Sequence, residues 1–376
     1  MIFVMNILEC ISGKEEFTPD DAERLLDGML KRTYSPTDLS ESDERNPFML
    51  ESFVDFSKTS RSASAICLDI GGTNIRSAKA SFDKNGEAIL QGCISERIGK
   101  DIDSFDKLIE EMARRVRLTN GAKNDLPDIR ICFSHPFKSI ENGDAEIIFL
   151  SKDTGIRGAE GKIIGKPLRQ ALGSDLKGSI KIINDTVASL IHAKYALAEF
   201  DFGNALVYGV VVGTGTNIAL CRDGKEIVNT EIGQFPIILE SDGNSKAVFE
   251  HITGGKYICR TIRKALRGNR LVDSAKTAEE LGEIAVRNSI ESIEIRNAIE
   301  NAARIEAACL GAIIRYQMRI ESKCRAVASI GGSIYEKLPF FKEAFDEKIG
   351  KIAKDLNCEM LLSMTSGYSN LIAAAM

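Results

Sequence analysis

The sequence predicts an α/β protein with a sheet in each of two halves, and three observations carry that expectation. Short apolar runs with strand character alternate with segments of helical spacing, which calls for layered sheet and helix. A strand running into a Gly/Thr turn occurs twice, at Cys67–Arg76 (CLDIGGTNIR) and Val210–Ile218 (VVVGTGTNI). The chain of 376 residues also exceeds the usual size of one domain, so two are expected.

Taken in order, Thr18-Pro19-Asp20-Asp21 reads as a helix start, with Thr18 as cap, Pro19 in the first turn and acids beside it. Ala22, Leu25, Leu26, Met29 and Leu30 continue at helical spacing. The polar stretch Tyr34–Asn46, interrupted by Pro36 and followed by Pro47, reads as a connector. Strands follow at Ala65–Ile70, Ile75–Phe82 and Ala88–Ile94, then a helix with Phe105, Leu108, Ile109, Met112 and Val116 on one face. Arg130–Ser134 and Ile180–Ile183 are short buried strands, with a helix near Pro167–Leu172 between them. The pattern then recurs as strands Ala205–Val212, Ile218–Cys221 and Glu226–Thr230, an internal duplication. Thr277-Ala278-Glu279-Glu280 is a capping box, Ala302–Ile314 a small-residue helix buried among neighbours, and Arg325–Ile330 and Cys358–Ser363 late strands.

Composition narrows the function classes. Hydrophobic residues at 44% and charged residues at 27% describe a globular chain with ample core material. A net charge of −5 argues against nucleic acid or an anionic membrane as partner. No apolar run approaches the ~20 residues that span a bilayer, and Met1–Met5 lacks the basic flank of a signal peptide. Nine cysteines without a Cys-x-x-Cys pair suit a reducing cytoplasm, and three scattered histidines give no zinc spacing.

The two Gly/Thr turns suit a polyphosphate, because glycine admits close approach of backbone N–H groups and threonine adds hydroxyl donors. Asp69 ends a buried strand, where a carboxylate costs free energy unless something binds it. Beside phosphates it would hold Mg²⁺ through waters. Asn184-Asp185, in INDTVASL, ends one strand and opens a helix. That pair suits a simple helix cap, and equally a general base at the end of a strand, where ligands collect in α/β sheets.

The order of these segments resembles the hexokinase family of sugar kinases. LDIGGTNIR is similar to its first phosphate segment, INDTVASL to its catalytic segment and GVVVGTGTNIAL to its second phosphate segment. FSHP at Phe133–Pro136 resembles its sugar loop, and Ser151-Lys152 stands at its Thr-Lys pair. NTEIGQF and FEHITGGKY resemble its two glutamate segments, and SIGGSIY at Ser329–Tyr335 a segment on the nucleotide side. The resemblance runs from about Ala65 to the C-terminus. It implies the two-lobed actin-like ATPase (ribonuclease H-like) fold with an active-site cleft between the lobes. Residues 1–62 would be a helical extension packed on the large lobe, 63–184 the small lobe and 185–376 the large lobe.

It further implies ATP and Mg²⁺ as cofactors, a hexose as partner substrate, and a monomer or homodimer in the cytoplasm. Ser134, Ser151, Lys152, Asn184, Asp185, Asn217, Glu231 and Glu250 would surround the sugar, with Asp185 as base and Lys152 as nearby positive charge. The nucleotide would meet Asp69, Gly71, Gly72, Thr73 and Asn74 in the first turn. It would meet Gly213, Thr214 and Gly215 in the second, and Gly332, Ser333 and Ser366 farther on. Taken alone, Glu231 and Glu250 also suit ordinary surface charges. Some positions depart from the family: Ser151 replaces Thr, only nineteen positions separate Glu231 from Glu250, and Thr365–Asn370 replaces a glycine-rich turn near adenosine. The family's last segment, which returns to the small lobe, is expected to be missing. The implied activity is phosphorylation of the 6-hydroxyl of glucose or a close relative. The alternatives are a kinase for an amino sugar or a sugar sensor of weak activity.

Overall fold

Burial of both faces of β-strands, with helices laid on each, organises the chain in the computed structural model. It describes residues 6–34, 49–61, 64–72, 74–99, 101–121, 125–140, 142–150, 155–239, 246–365 and 367–376. The connector expected after Tyr34 falls outside the described residues. Contacts divide the chain into two units: Met1–Met49, Asp201–Ile218 and Thr230–Met364 form the first, and Leu50–Phe200, Ala219–Asn229 and Thr365–Met376 the second. These limits differ from the expected 1–62, 63–184 and 185–376. The helix opening at Asp185 stays with the residues before it, and the last residues join them.

The first unit begins with α1 (Ile7–Ser12) and α2 (Pro19–Tyr34). The cap at Thr18 is reciprocal: its hydroxyl accepts the Asp21 N–H at 3.2 Å, and the Asp21 carboxylate accepts the Thr18 N–H at 3.0 Å. Such a cap is worth about 1 kcal/mol.

The second unit opens with β1 (Leu50–Asp55), followed by β2 (Ala65–Ile70), β3 (Asn74–Phe82) and β4 (Ala88–Arg97). After α3 (Phe105–Asn120) come β5 (Ile129–Phe133), the short antiparallel pair β6 (Phe137–Ser139) and β7 (Ala145–Ile147), then α4 (Gly165–Leu172), β8 (Ile180–Ile183) and α5 (Asp185–Ala196). The sheet order is β4-β3-β2-β5-β8, with β2, β5 and β8 parallel. Every residue of β2 is buried. Its alternation explains this: Ile66, Leu68 and Ile70 face the core built with Leu108, Met112 and Leu168, while Ala65 and Cys67 face Leu371, Ala374 and Ala375. A strand covered on both sides reads as a continuous apolar run.

Helix α5 is buried along most of its length and carries His192, which is 6% exposed and whose Nδ1 has no hydrogen-bond partner among the described residues. Burial pushes its imidazole from 6.5 down to about 4. The folded protein therefore keeps His192 neutral while the unfolded chain takes a proton, so stability is held above pH 6.5 and lost on acidification towards pH 4. The loss amounts to about 3 kcal/mol at most. Denaturant melts of His192→Phe should show a flatter acid limb than the parent, and parallel limbs would contradict this.

The chain continues through β9 (Leu206–Val212), β10 (Thr216–Arg222) and β11 (Glu226–Asn229). In the second unit β10 and β11 pair as a hairpin from Ala219 to Asn229, and β1 adds antiparallel to β11. In the first unit, the short pair β12 (Pro236–Ile238) and β13 (Lys246–Val248) precedes α6 (Glu250–Thr253), α7 (Ile258–Ala265), α8 (Arg270–Ser274) and α9 (Ala278–Ala285). Next come the 32-residue α10 (Ile290–Glu321), β14 (Arg325–Gly331), α11 (Ser333–Lys337), α12 (Phe341–Asp355) and β15 (Glu359–Met364). Strands β9, β14 and β15 run parallel. Each unit thus holds a parallel triad whose first strand is followed by an antiparallel hairpin in sequence, the pattern expected of a duplication. At α9 the Thr277 hydroxyl accepts the Glu280 N–H at 3.2 Å, while the Glu280 carboxylate accepts the N–H of Lys276, one residue before the cap.

The chain end corrects an expectation. Helix α13 (Ser369–Ala375) belongs to the second unit and packs against β2, so a returning segment is present. Its small side chains let the helix lie close on the sheet. Among the described residues no helix is long and apolar enough to cross a membrane.

Candidate active site

In the second unit the candidate residues collect at the C-terminal ends of β2, β5 and β8, the edge where parallel sheets bind ligands. The Ser134 N–H donates to the Ile70 carbonyl at 2.9 Å, extending the ladder by one residue and holding the buried Ser134 at the sheet edge. His135 lies against Phe133, with ring centroids 5.0 Å apart. Asn184 caps α5: its side-chain oxygen accepts the Thr186 N–H at 2.9 Å, and its amide donates to the Phe133 carbonyl at 3.5 Å. The cap reading of Asn184 therefore holds, and both of its polar groups point into the fold. Asp185, the next residue, is half-buried and accepts the Thr186 hydroxyl at 3.3 Å.

Asp69 is 3% exposed at the end of β2. The Arg76 guanidinium donates to one carboxylate oxygen at 3.0 Å, and the Asn370 amide donates to the other at 3.3 Å. Burial pushes the Asp69 carboxyl above its ordinary range, and Arg76 and Asn370 pull it back only in part. Arg76 keeps 37% of its side chain exposed, so the pair sits at the rim of the sheet. The turn after β2 is closed by the Gly71 N–H donating to the Asn74 carbonyl at 3.0 Å, with Gly72 in the bend.

In the first unit the turn after β9 meets two other segments. The Gly213 N–H donates to the Gly215 carbonyl at 2.8 Å, while the carbonyls of Gly213 and Thr214 accept N–H groups of Gly255 and Lys256 at 2.8 and 3.1 Å. A Cβ on Gly215 would collide with the Glu250 carboxylate, so Glu250 lies directly on this turn. Asn217 follows in β10, with its side-chain oxygen accepting the Ile218 N–H at 2.8 Å. Glu231 is buried at φ 50°, a left-handed conformation uncommon outside glycine and frequent at functional sites. Gly332, at φ 110°, brings the end of β14 against Val212 of β9 and Gly213 of the turn after it, with Ser333 beside it.

Ser151, Lys152, Thr73 and Ser366 lie outside the described residues. Among the glycines, the N–H groups of Gly71 and Gly213 close their own turns, and that of Gly332 donates to the Glu336 carboxylate at 3.0 Å. At Gly332 the absence of a side chain lets the ends of β9 and β14 approach. Arg76, Asn370 and Glu306 were missed as partners of this machinery. A charged residue inside the Ala/Gly-rich stretch Ala302–Ile314 is the signal that points to Glu306. It is fully buried and accepts hydroxyls of Thr216 and Thr253, each at 2.7 Å.

These residues fit a nucleotide with its metal. Among the described residues no group of three or more His, Cys, Asp or Glu could hold a metal ion. A single carboxylate such as Asp69 suits Mg²⁺, which keeps its waters and binds mainly phosphate oxygens. Gly332 places no side chain at the end of β14, and Ser333 follows it at the start of α11.

The fold is that of the actin-like ATPases that include sugar kinases. The hexokinase of Schistosoma mansoni complexed with glucose superimposes with a TM-score of 0.71 at 21% identity, covering 98% of this chain and 97% of that one. A ROK family glucokinase from Streptomyces griseus, in complex with glucose and AMPPNP, gives 0.56 at 15% identity over 83% and 98%. Residues 12–195 match the family model described as Hexokinase. Hexokinase-5 of Oryza sativa subsp. japonica is 25% identical over 240 residues, 53% of this chain and 46% of that protein, so the match spans under half of that relative. The hexokinase of Schistosoma mansoni is 23% identical over 380 residues, 82% of each chain. The chain is thus related to the hexokinase family of sugar kinases, as its motifs indicated.

Proposed function

We propose that the protein is a hexose kinase, using MgATP to phosphorylate the 6-hydroxyl of glucose or a related hexose. The observation that supports this most is the gathering of Asp69, Ser134, Asn184 and Asp185 at the C-terminal ends of β2, β5 and β8. When bound, MgATP supplies the phosphoryl group. Asp185 accepts the proton of the attacking hydroxyl, from its place at the start of α5. Ser134 of the second unit, and Asn217, Glu231 and Glu250 of the first, are the side chains suited to hydrogen-bond hexose hydroxyls. Lys152 would supply positive charge to the transfer, and Thr73 and Thr214 would each offer a hydroxyl donor to phosphate. Phosphoryl transfer asks for positioning and charge more than covalent work.

Glu231→Ala or Glu250→Ala should weaken hexose binding by about 1–3 kcal/mol, because a sugar hydroxyl loses its acceptor. Calorimetry with glucose measures this, and unchanged affinity in both variants would place the sugar elsewhere. The double hold on Asp69 by Arg76 and Asn370 favours a second reading, a sugar sensor of weak kinase activity. A coupled ADP-release assay over a panel of hexoses decides: hexose-dependent ADP release supports the kinase, and binding without release supports the sensor.

A further inference from the structure

Glu306 sits midway along α10 with no exposed surface, among Ala302, Ala303, Ala307, Ala308 and Cys309. A helix packed with alanine has no need of a carboxyl there, and burying one is unfavourable unless both oxygens find donors. Both do, and the donors come from far along the chain. The Thr216 hydroxyl donates to one oxygen at 2.7 Å, and the Thr253 hydroxyl to the other at 2.7 Å. Thr216 directly follows the Gly213–Gly215 turn and precedes Asn217. Thr253 closes α6, one helical turn beyond Glu250. Backbone bonds join the same two segments, from Gly255 to Gly213 and from Lys256 to Thr214. The third segment also rests on this point, since a Cβ on Gly233, two residues after Glu231, would collide with the Thr216 carbonyl.

We infer that Glu306 is a positioning residue, which locks the phosphate turn after β9 to the helix that carries Glu250. The inference rests on the hexose kinase reading of that site. Glu306 acts through Thr216 and Thr253. By holding both with one rigid carboxyl, it fixes the spacing between the groups that grip the phosphoryl oxygens and those that grip the sugar. Burial pushes its carboxyl up to about 7, and the two hydroxyls pull it the other way. Loss of that spacing by about 1 Å is enough to cost roughly 10²-fold in rate.

The test uses the full chain and two readouts. Hydrogen exchange of the ligand-free protein should show Glu306→Leu loosening residues 213–217 and 250–257 together, by about tenfold or more, with β14 unchanged. In the same variant, kcat/KM for the best hexose should fall about 10–100-fold. Glu306→Gln keeps one acceptor and one donor in place and should restore activity to within a few-fold of the parent. A folded Glu306→Leu variant with parental exchange in either segment overturns the lock, and loosened segments with parental kcat/KM overturn the positioning role. Should Glu306→Leu fail to fold, Thr216→Val and Thr253→Val replace it, and the idea falls if neither loosens the partner segment. A parent with no hexose-dependent ADP release defeats the kinase reading alone, because the exchange measurement still decides whether Glu306 ties the two segments.

Discussion

Asp185→Asn is expected to lower kcat about 10² to 10⁴-fold while leaving hexose affinity and melting temperature close to those of the parent. The side chain keeps its size, and an asparagine oxygen can still accept the Thr186 hydroxyl that Asp185 accepts at 3.3 Å. Helix α5 keeps its cap, because the capping oxygen belongs to Asn184. What disappears is a carboxyl oxygen able to take a proton, together with an acidic residue at the helix start worth up to about 1 kcal/mol of stability. A loss of kcat in that range corresponds to about 3–5 kcal/mol of barrier, several times the change in stability, so the two effects separate cleanly. Single-turnover kinetics with calorimetric hexose binding measure them side by side. Turnover at the parental rate would remove Asp185 from the base position.

Much of the fold was legible because local signals and burial agree. The strand Ile180–Ile183 is found as expected, since a four-residue run with three isoleucines between turns favours a strand and is too short for a helix. The face of α3 from Phe105 to Val116 is buried as its spacing requires. Strand β4 runs on to Arg97, beyond the expected Ile94, because its outer residues are exposed and polar and carry no apolar signal. Strand β1 was unread for a related reason: a register shift lies within it, and Phe53 adopts φ 51°, which breaks the alternation of a plain strand. Helix α13 has seven residues without a side-chain cap. Its stability comes from Leu371, Ala374 and Ala375 against β2, a tertiary cause invisible in its own spacing.

The candidate residues were legible as types and as an order, but their partners were not. A strand-end carboxylate such as Asp69 announces that something must hold it. Arg76 is seven positions away across a hairpin and within reach of inference, whereas Asn370 is 301 positions away. Glu306 shows the same limit, with its threonines 90 and 53 positions distant. Hydrogen bonds of that range are set by topology rather than by local sequence.

Gly332→Ala is expected to destabilise the protein by about 2–6 kcal/mol, whereas Gly213→Ala, in the neighbouring turn, should change stability by less than about 1 kcal/mol. Gly332 holds φ 110°, and a Cβ there would collide with the Val212 carbonyl and come within 2.8 Å of the Gly213 nitrogen. Both obstacles are backbone, so no rotamer change relieves them, and the ends of β14 and β9 must part. Gly213 differs although it sits on the other side of the same contact. Its Cβ would meet Gly332 and Ser333 at 3.6 Å, ordinary van der Waals distance. Parting the strand ends would also move the Gly213–Gly215 turn and the Ser333 hydroxyl away from each other. Under the kinase reading, KM for ATP should then rise about tenfold or more in the Gly332 variant and stay near the parental value in the Gly213 variant, a difference of about 1.4 kcal/mol. Thermal melts and donor kinetics on the two variants provide the comparison. Equal melting temperatures and equal ATP KM values would mean that the close approach of β9 and β14 does not shape the nucleotide side of the site.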